Sequence, residues 1–228
     1  MLITIANILT NDELAAARGL LDKATWGSGL ATVGPQAAKV KNNRQLSEDA
    51  PELSTLRNLV LSAINRTALF FTATLPLKIL PPFFNRYGGS TNEYGFHTDN
   101  AMRLAPGGQG SYVRADVSAT LFLSDPEEYD GGELTIADTF GNHSVKLNAG
   151  SLVLYPSSSL HAVTPVTRGE RTACFMFIQS MVRDAEQRRL LYEMDMALLD
   201  LRGTVGETKP VLRLTSTYHN LLRRWAEN

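Results

Sequence analysis

Between about Leu77 and Met181 the chain gives up helical spacing for short apolar runs broken by glycine, and that change of period limits the folds open to it. Lys78–Tyr87, Gly95–Asp99, Asp116–Ser124, Gly132–Ala137, Asn142–Leu147, Ser151–Tyr155, Ala162–Val166 and Arg171–Gln179 read as strands of modest length. Turn signals separate them at Gly88-Gly89, Pro106-Gly-Gly108, Gly131-Gly132, Gly141-Asn142 and Asn148-Ala-Gly150. Parallel strands need long crossovers, usually helical, and no helical pattern intervenes here, which disfavours an α/β sheet. About eight short strands with glycine turns suit a two-sheet jelly roll.

Helical spacing holds on either side, so three regions are expected: residues 1–76, 77–181 and 182–228. In the first, Thr10 and Glu13 have capping-box spacing, followed by Leu14, Ala17, Leu20, Leu21 and Ala24. A second helix is expected from about Pro51, with Leu53, Leu56, Val60 and Ile64 on one stripe. Trp26–Glu48, polar and glycine-containing, reads as an irregular crossing segment that could serve as a lid. In the third region Leu190, Leu191, Met194, Leu198 and Leu201 form a stripe that Gly203 could end. Pro210 then falls in a linker before a last amphipathic helix over Ser216–Glu227. The Met194/Leu198 stripe could serve the core or a contact between copies, so a homo-oligomer is open. The fold class expected is mainly β with helical flanks.

Inside the strand-rich region, Tyr94-Gly-Phe-His-Thr-Asp-Asn100 carries the chemistry. Side chains two apart on a strand share a face, so His97 and Asp99 converge while Thr98 turns away. With 4 histidines and eleven aspartates in 228 residues, His-x-Asp arises by chance about 0.2 times, so its context must carry the weight. His161, in the strand-like stretch Ser151–Val166, offers a third ligand. Two imidazoles and one carboxylate leave three octahedral positions open, the facial arrangement of non-haem iron(II) oxygenases. A 2-oxo acid would fill two of them and leave one for dioxygen. Its far carboxylate then needs a cation. Arg171, ten residues after His161 and opening the apolar run Thr172–Ile178, suits a two-pronged bond. An exposed hairpin residue beside Arg168 and Glu170 is the plain alternative.

Charge and cysteine content exclude other classes. A net charge of −1 gives no electrostatic pull toward nucleic acid or an anionic membrane. No apolar stretch has the length of a membrane span. The lone Cys174 sits in an apolar run, where a buried inert thiol is expected. Met1–Thr10 lacks a basic start and meets Asn11-Asp12-Glu13 too early for a signal peptide, so a cytoplasmic location is expected.

The motifs together resemble the PKHD-type hydroxylases, in the prolyl 4-hydroxylase branch of the iron(II)/2-oxoglutarate dioxygenases. The matching stretches are Phe84-Asn-Arg-Tyr-Gly88, Tyr94 to Ala101, Gly131-Gly-Glu-Leu134, Gly150 to Ser158, Leu160-His-Ala-Val163 and Pro165 to Arg171. The resemblance implies a double-stranded β-helix core and Fe(2+) held by His97, Asp99 and His161. It also implies 2-oxoglutarate bound through Arg171, and ascorbate as a reductant for stalled iron. Tyr87 could add a hydrogen bond to the far carboxylate, as a tyrosine does in that branch. Where the family carries a bulky aromatic followed by tryptophan, this chain has Phe175-Met176-Phe177, which is expected to alter packing and not the metal site. Tyr155, Phe175 and Phe177 are expected in the core. Asn100 and Arg114 are expected at the surface, and His143 and His219 are expected to be structural or exposed.

The activity implied is hydroxylation of an unactivated C–H bond, in a peptidyl (prolyl among them) or small-molecule substrate, coupled to decarboxylation of 2-oxoglutarate. A non-catalytic sensor of iron or 2-oxoglutarate, and a cupin-like enzyme using another metal, can be built from the same residues. Halogenation is disfavoured, because Asp99 fills the position a halide would need.

Overall fold

Antiparallel pairing collects the strands into two facing sheets. The computed structural model describes residues 1–32, 34–105 and 112–227, so the turn expected at Pro106-Gly-Gly108 lies outside it. The larger sheet runs Ile3–Ile5, Leu152–Pro156, Val117–Phe122, Arg171–Ser180, Phe83–Tyr87, Arg44–Leu46 and Trp26–Ser28, with Pro76–Ile79 also paired to Arg171–Ser180. The smaller runs Gly141–Val145, Leu134–Asp138, His161–Val163, Glu93–His97 and Lys41–Asn42. Tyr129–Gly131 pairs with Val166–Gly169, and Met102–Leu104 with Tyr112–Arg114. The expected jelly roll is what forms.

Prolines account for two differences from the expected strands. Lys78–Tyr87 is two strands, Pro76–Ile79 and Phe83–Tyr87, parted at Pro81-Pro82, where no N–H is available for a ladder. Ala162–Val166 likewise divides into His161–Val163 and Val166–Gly169 around Pro165. The first region is less helical than its spacing suggests. It contributes Ile3–Ile5, Trp26–Ser28 and Arg44–Leu46 to the larger sheet, and Lys41–Asn42 to the edge of the smaller. The segment read as an irregular crossing is therefore partly woven into both sheets, and it brings Lys41 to the wall of the central cavity.

The larger sheet is the middle of three layers. Every residue of Val117–Phe122 is buried, because both of its faces are covered. On one side Ala119, Leu121, Cys174, Met176 and Ile178 pack under helices through Leu21, Leu56, Val60 and Ile64. On the other, Tyr87, Phe122, Val153 and Tyr155 meet Leu134, Ile136 and Val163 of the smaller sheet. Fully burying one Leu or Ile side chain contributes about 1.5–3 kcal/mol, so the helix layer adds substantially to the stability of the sheet it covers.

The covering helices begin where the capping signals place them. Thr10 Oγ1 accepts from the Glu13 N–H at 3.2 Å, and the Glu13 carboxylate accepts from the Thr10 N–H at 2.9 Å, opening the helix Asn11–Leu21. Leu53–Asn65 buries the expected stripe and Ala63 besides. At the other end of the chain, Ala185–Val205 and Lys209–Trp225 lie together around Leu75, Val182, Leu191, Leu198, Val211 and Tyr218. Gly203 does not end the first of these helices. Gly206 does, at φ 70°, a conformation that glycine adopts without a Cβ penalty. Pro210 stands in the first turn of the last helix, where its missing N–H costs nothing, so that helix starts well before Ser216. Leu190 and Leu201 face outward. Among the described residues no helix is long and apolar enough to cross a membrane.

Candidate active site

Strand register brings the first two ligand candidates together. His161 lies directly opposite His97 on the neighbouring antiparallel strand, and their ring centroids are 4.3 Å apart. Between the pairs His161↔His97 and Val163↔Tyr94 the His97 strand carries one extra residue. Such a bulge re-aims side chains. It sets Tyr94 and His97 on the same side, with their rings stacked at 3.5 Å. Asp99 lies just past the strand end, and its Oδ2 is 3.7 Å from His161 Nε2. One ligand atom from each of His97, Asp99 and His161 falls within 4.8 Å of the others.

Hydrogen bonds orient all three groups. His97 Nδ1 is 2.8 Å from the Gly95 carbonyl, and His161 Nδ1 is 2.9 Å from the Ser159 carbonyl. A carbonyl only accepts, so each Nδ1 carries the proton and each Nε2 keeps a lone pair for a metal. Burial, and then the neighbouring His161, lowers the pKa of His97 to about 4, so the ring is neutral and able to ligate near pH 7. Ser118 Oγ donates to Asp99 Oδ2 at 2.6 Å, and Ser157 Oγ lies 2.7 Å from Ser118 Oγ. Ser118 has one proton and gives it to the carboxylate, so Ser157 is the donor to Ser118. This serine chain holds Asp99 in place, and sequence reasoning missed it.

Arg171 lies deep in the same cavity. Only 1% of its surface is exposed, which rules out the hairpin-surface alternative. Nε, Nη1 and Nη2 are all buried with no hydrogen-bond partner among the described residues. The guanidinium lies 5.2 Å from the Tyr87 ring centroid and 5.1 Å from that of Phe122. Tyr87 is Arg171's cross-strand partner, and its buried hydroxyl accepts from Asn85 Nδ2 at 3.3 Å. Tyr129 contributes a second buried hydroxyl, close enough to Arg171 for the guanidinium to act on it. Gly132, at φ 67°, leaves room for this group, since a Cβ there would come within 3.0 Å of Arg171 Cδ and 2.9 Å of the Tyr129 ring. Isolated buried charge is costly, and a bound carboxylate is the partner these donors fit.

The cavity that joins these groups encloses about 720 Å³, part of it open to solvent. Tyr155 and Phe177 are buried in the core as expected, and with the half-buried Phe175 they also line the cavity, so Phe175-Met176-Phe177 reaches the site. So do Asn100, exposed at the surface as expected, and two cations that sequence reasoning passed over, Lys41 and Arg103. Lys41 Nζ bonds Gln45 Oε1 at 3.3 Å and lies 5.3 Å from the Tyr94 ring. Burial, and then the charge of Arg103, brings the Lys41 pKa down to about 8. The Arg103 guanidinium lies 4.0 Å from the Phe177 ring. Arg114 is engaged elsewhere, with Asp116 at 2.8 Å, and His143 and His219 are exposed.

Comparison with known proteins agrees with this geometry. Residues 82–179 match the 2OG-Fe(II) oxygenase superfamily, and residues 185–227 match the PKHD-type hydroxylase C-terminal domain. A 2OG-Fe(II) oxygenase family oxidoreductase from Burkholderia pseudomallei superposes with a TM-score of 0.54, covering 78% of this chain and 84% of its own at 20% identity. A Trichoplax adhaerens prolyl hydroxylase, solved with a hypoxia inducible factor peptide fragment, gives 0.54 over 83% and 86% at 17% identity. At such identities these structures bear on the fold alone. The double-stranded β-helix is therefore that of the 2-oxoglutarate and iron(II) oxygenases. A PKHD-type hydroxylase of Nitrosomonas eutropha is 72% identical over 228 residues, all of both chains. This chain belongs to the PKHD-type hydroxylases.

Proposed function

We propose that His97, Asp99 and His161 hold iron(II), and that Arg171, with Tyr87 beside it, holds the far carboxylate of 2-oxoglutarate in the same cavity. The observation that carries this reading is the buried guanidinium, without a hydrogen-bond partner among the described residues, in a cavity that also presents three convergent ligand atoms. When bound, iron(II) supplies dioxygen activation, so that 2-oxoglutarate, dioxygen and a C–H bond yield succinate, CO2 and an alcohol. The chain's own residues do the rest. Nδ1 anchoring keeps both imidazoles facing the metal position, the Ser157–Ser118 pair steadies the carboxylate, and the aromatic walls keep bulk water from the reacting centre. Kinship to prolyl hydroxylases favours a peptidyl C–H substrate, prolyl among the candidates, with small molecules as the second class. A reducing cytoplasm would keep the iron ferrous.

Adding 2-oxoglutarate to the anaerobic iron(II)-loaded protein is expected to produce a visible metal-to-ligand charge-transfer band, and admitting oxygen is expected to produce succinate. No band would end the chelation reading. A band without oxygen-dependent turnover of any substrate would select a sensor, and activity without oxygen or 2-oxoglutarate would select a different metalloenzyme.

The serine chain makes a narrower prediction. Ser118→Ala removes an outer-shell partner of a metal-ligating carboxylate, a change that typically weakens metal binding about 10–100-fold. Competition with a chromophoric chelator measures it, and an unchanged iron affinity would show that Ser118 has no part in holding Asp99.

A further inference from the structure

We propose that Tyr94 is a self-modification site, at which turnover without a bound substrate places one hydroxyl group on the tyrosine ring. The inference rests on the iron and 2-oxoglutarate reading, because the added oxygen atom comes from that reaction.

A break in strand geometry puts the ring in position. Residues three apart on a regular strand face opposite ways, and Tyr94 shares a side with His97 because of the extra residue between them. The backbone is fixed around this bulge. The Gly95 N–H donates to the Val40 carbonyl at 2.8 Å, and the Gly95 carbonyl accepts from His97 Nδ1 at 2.8 Å. A Cβ on Gly95 would come within 3.0 Å of Val40 Cβ, so a side chain there would press the two segments apart.

The Tyr94 and His97 ring centroids are 3.5 Å apart, with 14° between the planes. Carbon atoms make their best contact at about 3.5–4.0 Å, so rings this close lie almost squarely over one another. A metal bound to an imidazole stands in the ring plane, about 2 Å from the nitrogen. Adding the half-width of the imidazole sets that metal roughly 5 Å from the centre of the Tyr94 ring, with the ring edge nearer still. Other rings of the cavity are placed less directly. Tyr155 meets His161 edge-on, with centroids 5.0 Å apart and 62° between the planes. Phe175 packs against Phe83 at 5.3 Å and Phe177 at 5.8 Å. A phenol is also richer in electrons than a phenyl ring, which sets Tyr94 further ahead of both phenylalanines.

When a substrate fills the cavity, its C–H bond takes the oxygen atom. Without one, the Tyr94 ring, which lines the cavity, stands beside the reacting centre. One dioxygen and one 2-oxoglutarate are consumed for each ring altered. One oxygen atom enters succinate as 2-oxoglutarate loses CO2, and the other is inserted into a ring C–H bond next to the existing hydroxyl, giving a catechol. Dioxygen takes up four electrons, two from 2-oxoglutarate and two from the ring. The displaced ring hydrogen becomes that of the new hydroxyl, so no further reductant is needed.

The test leaves substrate out. The iron(II)-loaded protein receives 2-oxoglutarate and oxygen, and its peptides are then analysed by mass spectrometry. The peptide holding Tyr94 is expected to gain the mass of one oxygen atom, located on the tyrosine ring by fragmentation. Samples lacking 2-oxoglutarate or oxygen should show no such gain, and Tyr94→Leu should lose it. A second readout needs no turnover. Zinc(II), which has no redox chemistry, should shift the near-ultraviolet tyrosine absorption when it binds the unaltered protein, and Tyr94→Leu should lose most of that shift.

A Tyr94 peptide of unchanged mass overturns the proposal. So does oxygen landing on Tyr155, Phe175 or Phe177 instead, or a zinc-induced shift that survives Tyr94→Leu in full. A gain that appears equally without 2-oxoglutarate is adventitious oxidation by iron, and it overturns the proposal too. Should Tyr94→Leu fail to fold, the peptide masses of the unaltered chain decide alone. Failure of the charge-transfer band at the loading step sinks the iron and 2-oxoglutarate reading, whereas the band and succinate with an intact Tyr94 sink only the self-modification site.

Discussion

Asp99→Ala is expected to reduce succinate formation by at least about 10³-fold, a barrier increase of about 4 kcal/mol. The carboxylate is the one anionic member of the ligand set, so its loss removes both a bond and the charge that offsets a dication. His161→Ala should do the same, since its Nε2 faces Asp99 Oδ2 at 3.7 Å. Unfolding measurements separate loss of metal from loss of fold. Iron(II) at 100 times its dissociation constant stabilises the unaltered protein by about 2.7 kcal/mol. For a chain of this size that raises Tm by roughly 5–10 °C. Asp99→Ala should fold and show no such rise. Substantial turnover in this variant would remove Asp99 from the metal site.

Arg171→Met is expected to act in two opposite directions. Two charge-assisted hydrogen bonds at about 1.5 kcal/mol each amount to about 3 kcal/mol, so the apparent KM for 2-oxoglutarate should rise roughly 100-fold. Iron affinity should stay close to that of the unaltered chain, because Arg171 is not among the three convergent ligand candidates. The ligand-free protein, however, should unfold at the same temperature or higher. A guanidinium at 1% exposure with no hydrogen-bond partner among the described residues weakens the empty fold, and a methionine of similar length fills the space without that charge. An ordinary structural arginine would give the reverse pattern, with unchanged KM and lower Tm. Measuring both quantities on one variant therefore decides whether this arginine serves a ligand or the fold.

The site was legible in the sequence where chemistry is local. His97 and Asp99 are two residues apart, and Arg171 follows His161 by ten, so residue type and spacing sufficed to pair them. Thr10 and Glu13 disclosed a helix start for the same reason. Features that depend on register stayed hidden. Ser118 reaches Asp99 from a strand nineteen residues on, and Ser157 reaches Ser118 from thirty-nine beyond that. No spacing rule links three such residues. Lys41 lies in a stretch whose polarity suggested a loop, and its entry into the cavity depends on Lys41–Asn42 pairing at the edge of the smaller sheet. The short strands of the first region were missed because two or three residues carry too little alternation to be seen. Phe177 is core as read, with Phe175 packed beside it, but their second part as cavity lining stayed hidden because burial and lining draw on the same residue types.

The strand Arg171–Ser180 gives substitutions along it opposite expected fates according to the parity of the residue number. Arg171, Phe175 and Phe177 look inward on the chemistry, while Cys174 and Ile178 look outward under the helices. Damage at odd positions should appear as altered catalysis in a protein that still folds. At even positions it should appear as poor yield with ordinary kinetics in whatever folds. Neighbours in the chain thus answer to separate selective pressures, and the strand can drift on one side while the other is held still.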